Sequence, residues 1–209
     1  MYYKVTVSLK GVSKKVYREF YVLPTVSVYE LGIAIVSSFN GVFEHMFFFE
    51  SMEENMIFED ELWLDEECDF TNRFACDYKD VTINYLAKIG NKIDFIYDTG
   101  ENYGFKVVID KERYNFIDDR RIIINKAKGY GIFEDAHSLL DTFLESDKTF
   151  YKVCLEYANG DDWLPLGLEF PLDGTKDDYY KSIKGEELED LMDKVEEDTF
   201  TLFQNEQNY

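Results

Sequence analysis

The fold of this chain is decided by the stretch Tyr97-Asp98-Thr99-Gly100-Glu101-Asn102-Tyr103. It follows the strand-like run 92–96 and precedes a second such run, 105–110, both rich in Ile, Val and Phe. Aromatic and β-branched residues favour strands, and an Asp and a Gly between two such runs are typical of a tight turn. The sequence therefore predicts a β-hairpin across residues 92–110.

The chain before this hairpin predicts three more elements. Apolar and polar residues alternate over 2–10 and 15–23, which indicates an N-terminal hairpin with a glycine-containing turn. Ser27 and Glu30 have the spacing of a capping box, and apolar residues follow them at helical intervals. We therefore expect a helix over 28–39, ended by Asn40-Gly41.

The remaining elements follow from the same rules of periodicity and capping. They begin with a short strand at 45–50 and a helix at 81–89, which has Asp80 as its N-cap and ends at Gly90. A strand at 121–125 and a loop at 126–132 follow. Two amphipathic helices complete the chain, one at 133–144 and a final one containing Leu188, Leu191, Met192 and Val195. Together they predict an α+β fold, a mixed and mainly antiparallel sheet with two or three packed helices. We expect an α+β domain at 1–150 and an acidic C-terminal extension at 151–209.

Net charge limits the partners of this chain. The 209 residues include 43 acidic and 22 basic ones, which gives a net charge of −21. Such a surface repels phosphate groups, so we expect neither direct nucleic-acid binding nor docking on an anionic membrane. The densest basic clusters, Lys14-Lys15 and Arg120-Arg121, are only two residues long. A basic protein is the favoured partner, and plain solubility is the alternative reason for the charge.

Cysteine content and the lack of apolar segments predict a cytoplasmic protein. The three cysteines, Cys68, Cys76 and Cys154, form an odd set without zinc-module spacing. The N-terminus has no apolar core typical of a signal peptide, and no apolar run approaches the ~20 residues that span a bilayer.

Three segments in order resemble the plasmid pRiA4b ORF-3-like family. They are 17–49, with its Tyr-Arg strand, helix and His-Met-Phe-Phe-Phe strand, the hairpin turn at 95–103, and 129–136. The resemblance covers roughly residues 1–145 and implies an α+β fold with a mixed sheet. Departures from the family pattern occur at Thr99, Tyr103 and Phe105, so a polar site of the family would be incomplete here. The residues that carry this resemblance are His45, Tyr97, Asp98, Gly100, Glu101, Tyr103, Glu134 and Asp135.

These signature residues admit two interpretations. Carboxylates and histidines can bind a metal or act as general acid and base, so together with His137 they suggest a small metal-assisted hydrolase. An Asp before a glycine more often accepts backbone amides, and acidic residues in a first helical turn interact with the helix dipole. We favour this structural interpretation and expect no catalytic residue, metal or cofactor.

Acidic residues concentrate in two regions. Residues 50–69 contain ten Asp or Glu and no Lys or Arg, and residues 151–209 contain 16 acidic and 5 basic residues. We expect a non-enzymatic interaction protein of mobile-element type whose carboxylates imitate a phosphate backbone and occupy a nucleic-acid-binding protein, for example a defence nuclease of the CRISPR type. A regulatory domain without mimicry remains an alternative. The expected contact residues are Glu53, Glu54, Glu59, Asp60, Glu61, Asp65, Glu66, Glu67, Glu186, Glu187, Glu189 and Asp190.

Overall fold

In a computed structural model, the residues that the structure describes form eight strands and three helices. The structure describes residues 1–11, 13–60, 74–90, 92–100, 102–115, 118–129, 132, 152 and 188–206. The elements in chain order are β1 Tyr2–Leu9, β2 Tyr17–Val22, α1 Val28–Ser38, β3 Phe47–Ser51, β4 Met56–Glu59, β5 Phe74–Asp77, α2 Ile83–Ile89, β6 Lys92–Tyr97, β7 Tyr103–Tyr114, β8 Ile122–Lys128 and α3 Leu188–Glu206.

The strands form a single sheet in the order β5-β4-β3-β6-β7-β1-β2-β8. β4 and β5 run parallel, whereas every other neighbouring pair is antiparallel. The α+β class and the mixed, mainly antiparallel sheet are thereby confirmed. The hairpin predicted from the stretch 97–103 is β6–β7, closed by Tyr97 opposite Tyr103.

The helix α1 is buried along its whole length. The Ser27 hydroxyl accepts a hydrogen bond from the Glu30 amide at 3.1 Å, and the Ser27 amide donates to the Glu30 carboxylate at 2.8 Å. At the other end, the Asn40 and Gly41 amides donate to Ser37 and Val36 carbonyls, with Asn40 in the left-handed region at φ 69°. This is the Schellman pattern, so both predicted ends of α1 are confirmed to within one residue.

Three local predictions need correction. The N-cap of α2 is Thr82, because Asp80 lies in a turn where its own amide donates to the Asp77 carbonyl. Residues 126–128 continue β8, where a loop was expected, because they pair with the first half of β2. The third strand begins at Phe47, two residues later than expected. The helix expected at 133–144 lies outside the described residues.

Aromatic side chains dominate the core between the sheet and α1. The Phe95 ring lies 5.5 Å from Phe47, 4.8 Å from Phe49 and 5.8 Å from Phe105, measured between centroids. Phe105 in turn lies 4.7 Å from Phe39, just after α1. The sheet and the helix are therefore connected through a continuous chain of rings.

A close approach between α1 and β3 gives a test of this packing. A Cβ on Gly32 would lie 2.1 Å from a ring carbon of Phe47, so Gly32→Ala forces that ring to move. We expect this substitution to lower the free energy of unfolding by about 1–2 kcal/mol, as overpacking does. In a Phe47→Ala background it should instead stabilise by up to ~1 kcal/mol, because alanine favours helix. Urea unfolding of the original chain, the two single variants and the double variant measures the effect of Gly32→Ala in each background. An effect of the same sign in both backgrounds contradicts the proposed clash between the Gly32 position and the Phe47 ring.

A charged cluster lies where β1, β2 and β8 meet. The buried Glu19 carboxylate contacts Lys4 Nζ at 2.8 Å and Lys126 Nζ at 3.3 Å, and it accepts a hydrogen bond from Asn125. Burial raises the pKa of Glu19, but hydrogen bonds from Lys4, Asn125 and Lys126 outweigh burial and hold that pKa below 4.5. The ionised form therefore stabilises the fold.

The pH dependence of stability follows from the lowered pKa of Glu19. Its stabilising contribution is fully present above the unfolded pKa of about 4.5 and disappears as pH falls through the lower folded pKa. We expect Glu19→Gln to cost about 1–3 kcal/mol at pH 7 and progressively less below pH ~4.5. Urea titrations of both proteins between pH 7 and pH 3 measure this convergence. The exposed Glu53→Gln is the control, and a constant difference across the range contradicts the assignment.

Candidate protein-interaction surface

The helix α3 is held against α1 and β8 by its apolar side. Leu191 and Val195 are each 3% exposed and belong to the main core. The Ser37 hydroxyl of α1 donates a hydrogen bond to the Asp198 carboxylate. The predicted amphipathic C-terminal helix is thereby confirmed, and its opposite side faces outward. The domain boundary expected at residue 150 lies outside the described residues and stays a prediction.

The outward side of α3 is almost entirely acidic. It carries five exposed carboxylates and, among its described side chains, one basic residue, Lys194. The five are Glu189, Asp190, Asp193, Glu196 and Glu197, which we call the acidic ridge. Only Glu189 and Asp190 were expected as contact residues. The other three follow them at intervals of three and four residues, so helical spacing was the signal that identifies them.

An aromatic side chain interrupts the acidic ridge at its C-terminal end. Phe200 is 63% exposed and lines a shallow depression with Asp193, Glu196 and Glu197. Phe is enriched in protein interfaces, so Phe200 offers a partner an apolar contact beside the acidic ridge. Sequence analysis did not identify Phe200 as a functional residue, although the pattern of α3 places it on the polar side.

Some of the other predicted contact residues are exposed, whereas others are partly buried or already form an ion pair. Glu53 and Glu54 are exposed in the turn between β3 and β4. Burial raises the pKa of Glu59, so its carboxyl is partly withdrawn from solvent. Asp60 contacts Lys79 Nζ at 3.0 Å and accepts a hydrogen bond from the Tyr78 hydroxyl. The residues Glu61, Asp65, Glu66, Glu67, Glu186 and Glu187 lie outside the described part of the chain.

The acidic ridge lies far from the exposed carboxylates Glu53 and Glu54 of the β3–β4 turn. Six strand spacings separate β4 from β8 in the sheet order. At about 4.8 Å per spacing, this places the β3–β4 turn and the strand beneath α3 roughly 29 Å apart. One small basic patch therefore does not contact the acidic ridge and the β3–β4 turn at once.

The described signature residues meet at the β6–β7 turn. Asp98 is 4% exposed, adopts φ 55°, and accepts a hydrogen bond from the Gly100 amide at 3.0 Å. Its other carboxylate oxygen lies 3.6 Å from His45 Nε2. Tyr97 and Tyr103 are fully buried beneath this turn. Asp98 thus stabilises the turn, as the structural interpretation expected.

A metal site is not assembled by the residues that the structure describes. Among them, no group of three or more His, Cys, Asp or Glu side chains is arranged to hold a metal ion. Glu101, Glu134, Asp135 and His137 lie outside the described residues, and the metal-assisted hydrolase stays an alternative prediction. Within the same described ranges, no helix has the length and apolar character needed to cross a membrane.

The fold and the acidic ridge define an α+β protein with an eight-stranded sheet and a charged C-terminal helix. The chain belongs to the plasmid pRiA4b ORF-3-like protein family, whose sequence profile matches residues 1–141. The crystal structure of a protein of unknown function from Methanosarcina mazei Go1 is similar at a TM-score of 0.58 and 17% identity, over 81% of this chain and 97% of that one. No curated protein matches the sequence. The helix α3 lies beyond the residues that the family profile matches.

Proposed function

We propose that this protein is a non-enzymatic acidic interaction protein that binds a basic, nucleic-acid-binding protein and imitates a phosphate backbone. The acidic ridge on α3 carries the proposal. A partner bound in this way would lose access to its nucleic acid. Such binding would allow a protein carried by a mobile element to inhibit a defence nuclease, for example a CRISPR effector.

The linear charge density of the ridge supports mimicry. Its five carboxylates extend from Glu189 to Glu197, which is about 12 Å of helix axis at 1.5 Å per residue. The average spacing between neighbouring carboxylates is therefore ~3 Å along the axis. Duplex DNA carries one phosphate charge per ~1.7 Å when both strands are counted and one per ~3.4 Å for each strand. A surface that binds phosphates through Lys and Arg therefore meets a similar density of negative charge on α3.

The rigidity of the ridge supports the proposal independently. Leu191, Val195 and the Ser37–Asp198 hydrogen bond fix the inner side of α3 on the core. The carboxylates are consequently presented by a helix that is already ordered, so less conformational entropy is lost on binding.

The test is capture of the partner followed by competition with DNA. The full chain is immobilised and exposed to extracts of cells that carry defence systems, and each captured protein is purified. We expect a partner that duplex DNA displaces and whose affinity falls at least about tenfold between 50 and 200 mM salt. Binding that neither DNA nor salt weakens would exclude mimicry, as would the absence of any basic protein among those captured.

A further inference from the structure

A cleft lies between α3 and the residues that lead into β8. Its volume is about 230 Å³. The buried Ile122 and Val195 form its inner part, and Phe200, Asp119 and Glu196 are exposed at its mouth. This volume is below the ~300–1,000 Å³ that is typical of small-molecule sites. One long, flexible side chain suits it better than a nucleotide or a substrate molecule.

Among the residues that the structure describes, the ion pairs around the cleft leave two carboxylates without a counterion. Arg120 and Arg121 also line it, but Arg121 contacts the Glu30 carboxylate at 3.0 Å and Arg120 lies 3.6 Å from Asp118. Asp119 and Glu196 form no ion pair among the described residues. The mouth of the cleft therefore favours a cation, and its inner wall favours an aliphatic stem.

We propose that this cleft receives one arginine side chain of the basic partner, an inference that rests on the proposed function. The methylene stem packs against Ile122 and Val195, and the guanidinium lies between Asp119 and Glu196 on the face of Phe200. A planar guanidinium stacks on an aromatic ring and forms two parallel hydrogen bonds with a carboxylate, which an ammonium does not. The cleft thus selects arginine over lysine within a partner that the acidic ridge attracts by charge.

Two labelled peptides of equal charge, nona-arginine and nona-lysine, test the selection by fluorescence anisotropy with the full chain. We expect the arginine peptide to bind about threefold to tenfold more tightly. The variants Phe200→Ala and Asp119→Asn should each remove most of this preference. Matched controls are Phe74→Ala, which removes a 73% exposed Phe on β5, and Glu53→Gln in the β3–β4 turn. All four positions are exposed, so thermal melts should show intact folds.

The outcomes separate this inference from the proposed function. If both peptides bind equally and the cleft variants behave like the controls, the arginine cleft is excluded while charge-driven binding stands. If neither peptide binds at 50 mM salt, the proposed function fails as well. A preference for arginine that survives both Phe200→Ala and Asp119→Asn places the selection elsewhere and overturns the inference.

Discussion

Replacing Phe95 with alanine is expected to lower the free energy of unfolding by about 3–5 kcal/mol, as the loss of a large buried aromatic side chain does. Its side chain is fully buried on the central strand β6 and contacts three other rings. Alanine removes the apolar contacts and leaves a cavity that neighbours on β3 and β7 fill only in part, because both strands are fixed by the sheet. Urea denaturation monitored by circular dichroism measures the loss.

Phe95→Leu is the matched control, since it keeps most of the volume and should cost clearly less. Tyr85→Ala on α2 is a second control, because that side chain is 42% exposed. Substitutions at the surface change stability by only about 0.5 kcal/mol. A Phe95→Ala protein within 1 kcal/mol of the unsubstituted chain would show that the aromatic cluster is not the central element of the core.

Neutralising the acidic ridge is expected to produce the largest loss of binding. Changing all five carboxylates to Gln or Asn should lower the affinity for the captured partner about tenfold to a thousandfold, because each exposed charge pair contributes about 0.2–1 kcal/mol. Glu189, Asp190, Asp193, Glu196 and Glu197 are exposed, so the fold of α3 should persist. Calorimetric titration at 50 and 200 mM salt measures the affinity and its salt dependence.

The matched control for the ridge is the double variant Glu53→Gln, Glu54→Gln in the β3–β4 turn. It also lowers the negative charge but lies roughly 29 Å away along the sheet. If binding depends only on net charge, both variants should lose affinity in proportion to the charges removed. A loss confined to the turn variant would assign the interaction to the other acidic region and exclude the ridge.

The sequence was sufficient for elements whose ends are encoded locally. The capping box at Ser27 and Glu30 and the Asn40-Gly41 end of α1 depend on backbone groups within a few residues. The β6–β7 turn is similar, because Asp98 binds an amide two residues later. Such patterns are visible without knowledge of the tertiary structure.

Predictions that depended on distant partners were less accurate. The extension of β8 to Lys128 is stabilised by pairing with Tyr17, more than a hundred residues earlier, so the local glycines were misleading. Asp60 and Glu59 were predicted contact residues, but the ion pair between Asp60 and Lys79 and the partial burial of Glu59 arise from tertiary packing. The cleft beside Phe200 combines α3 with Asp119 and Ile122, which no local pattern connects.

The position of β1 in the sheet has a consequence for the order of events during synthesis. β1 pairs with β2 on one side, but its other neighbour is β7, with Val5 opposite Ile109. At translation rates of about 5–20 residues per second, this second partner is made roughly 5–20 s later. The nascent N-terminal hairpin therefore waits with both outer edges unpaired, because β8, the other neighbour of β2, is made later still. The sheet is completed only when β7 pairs with β1 and β8 pairs with β2.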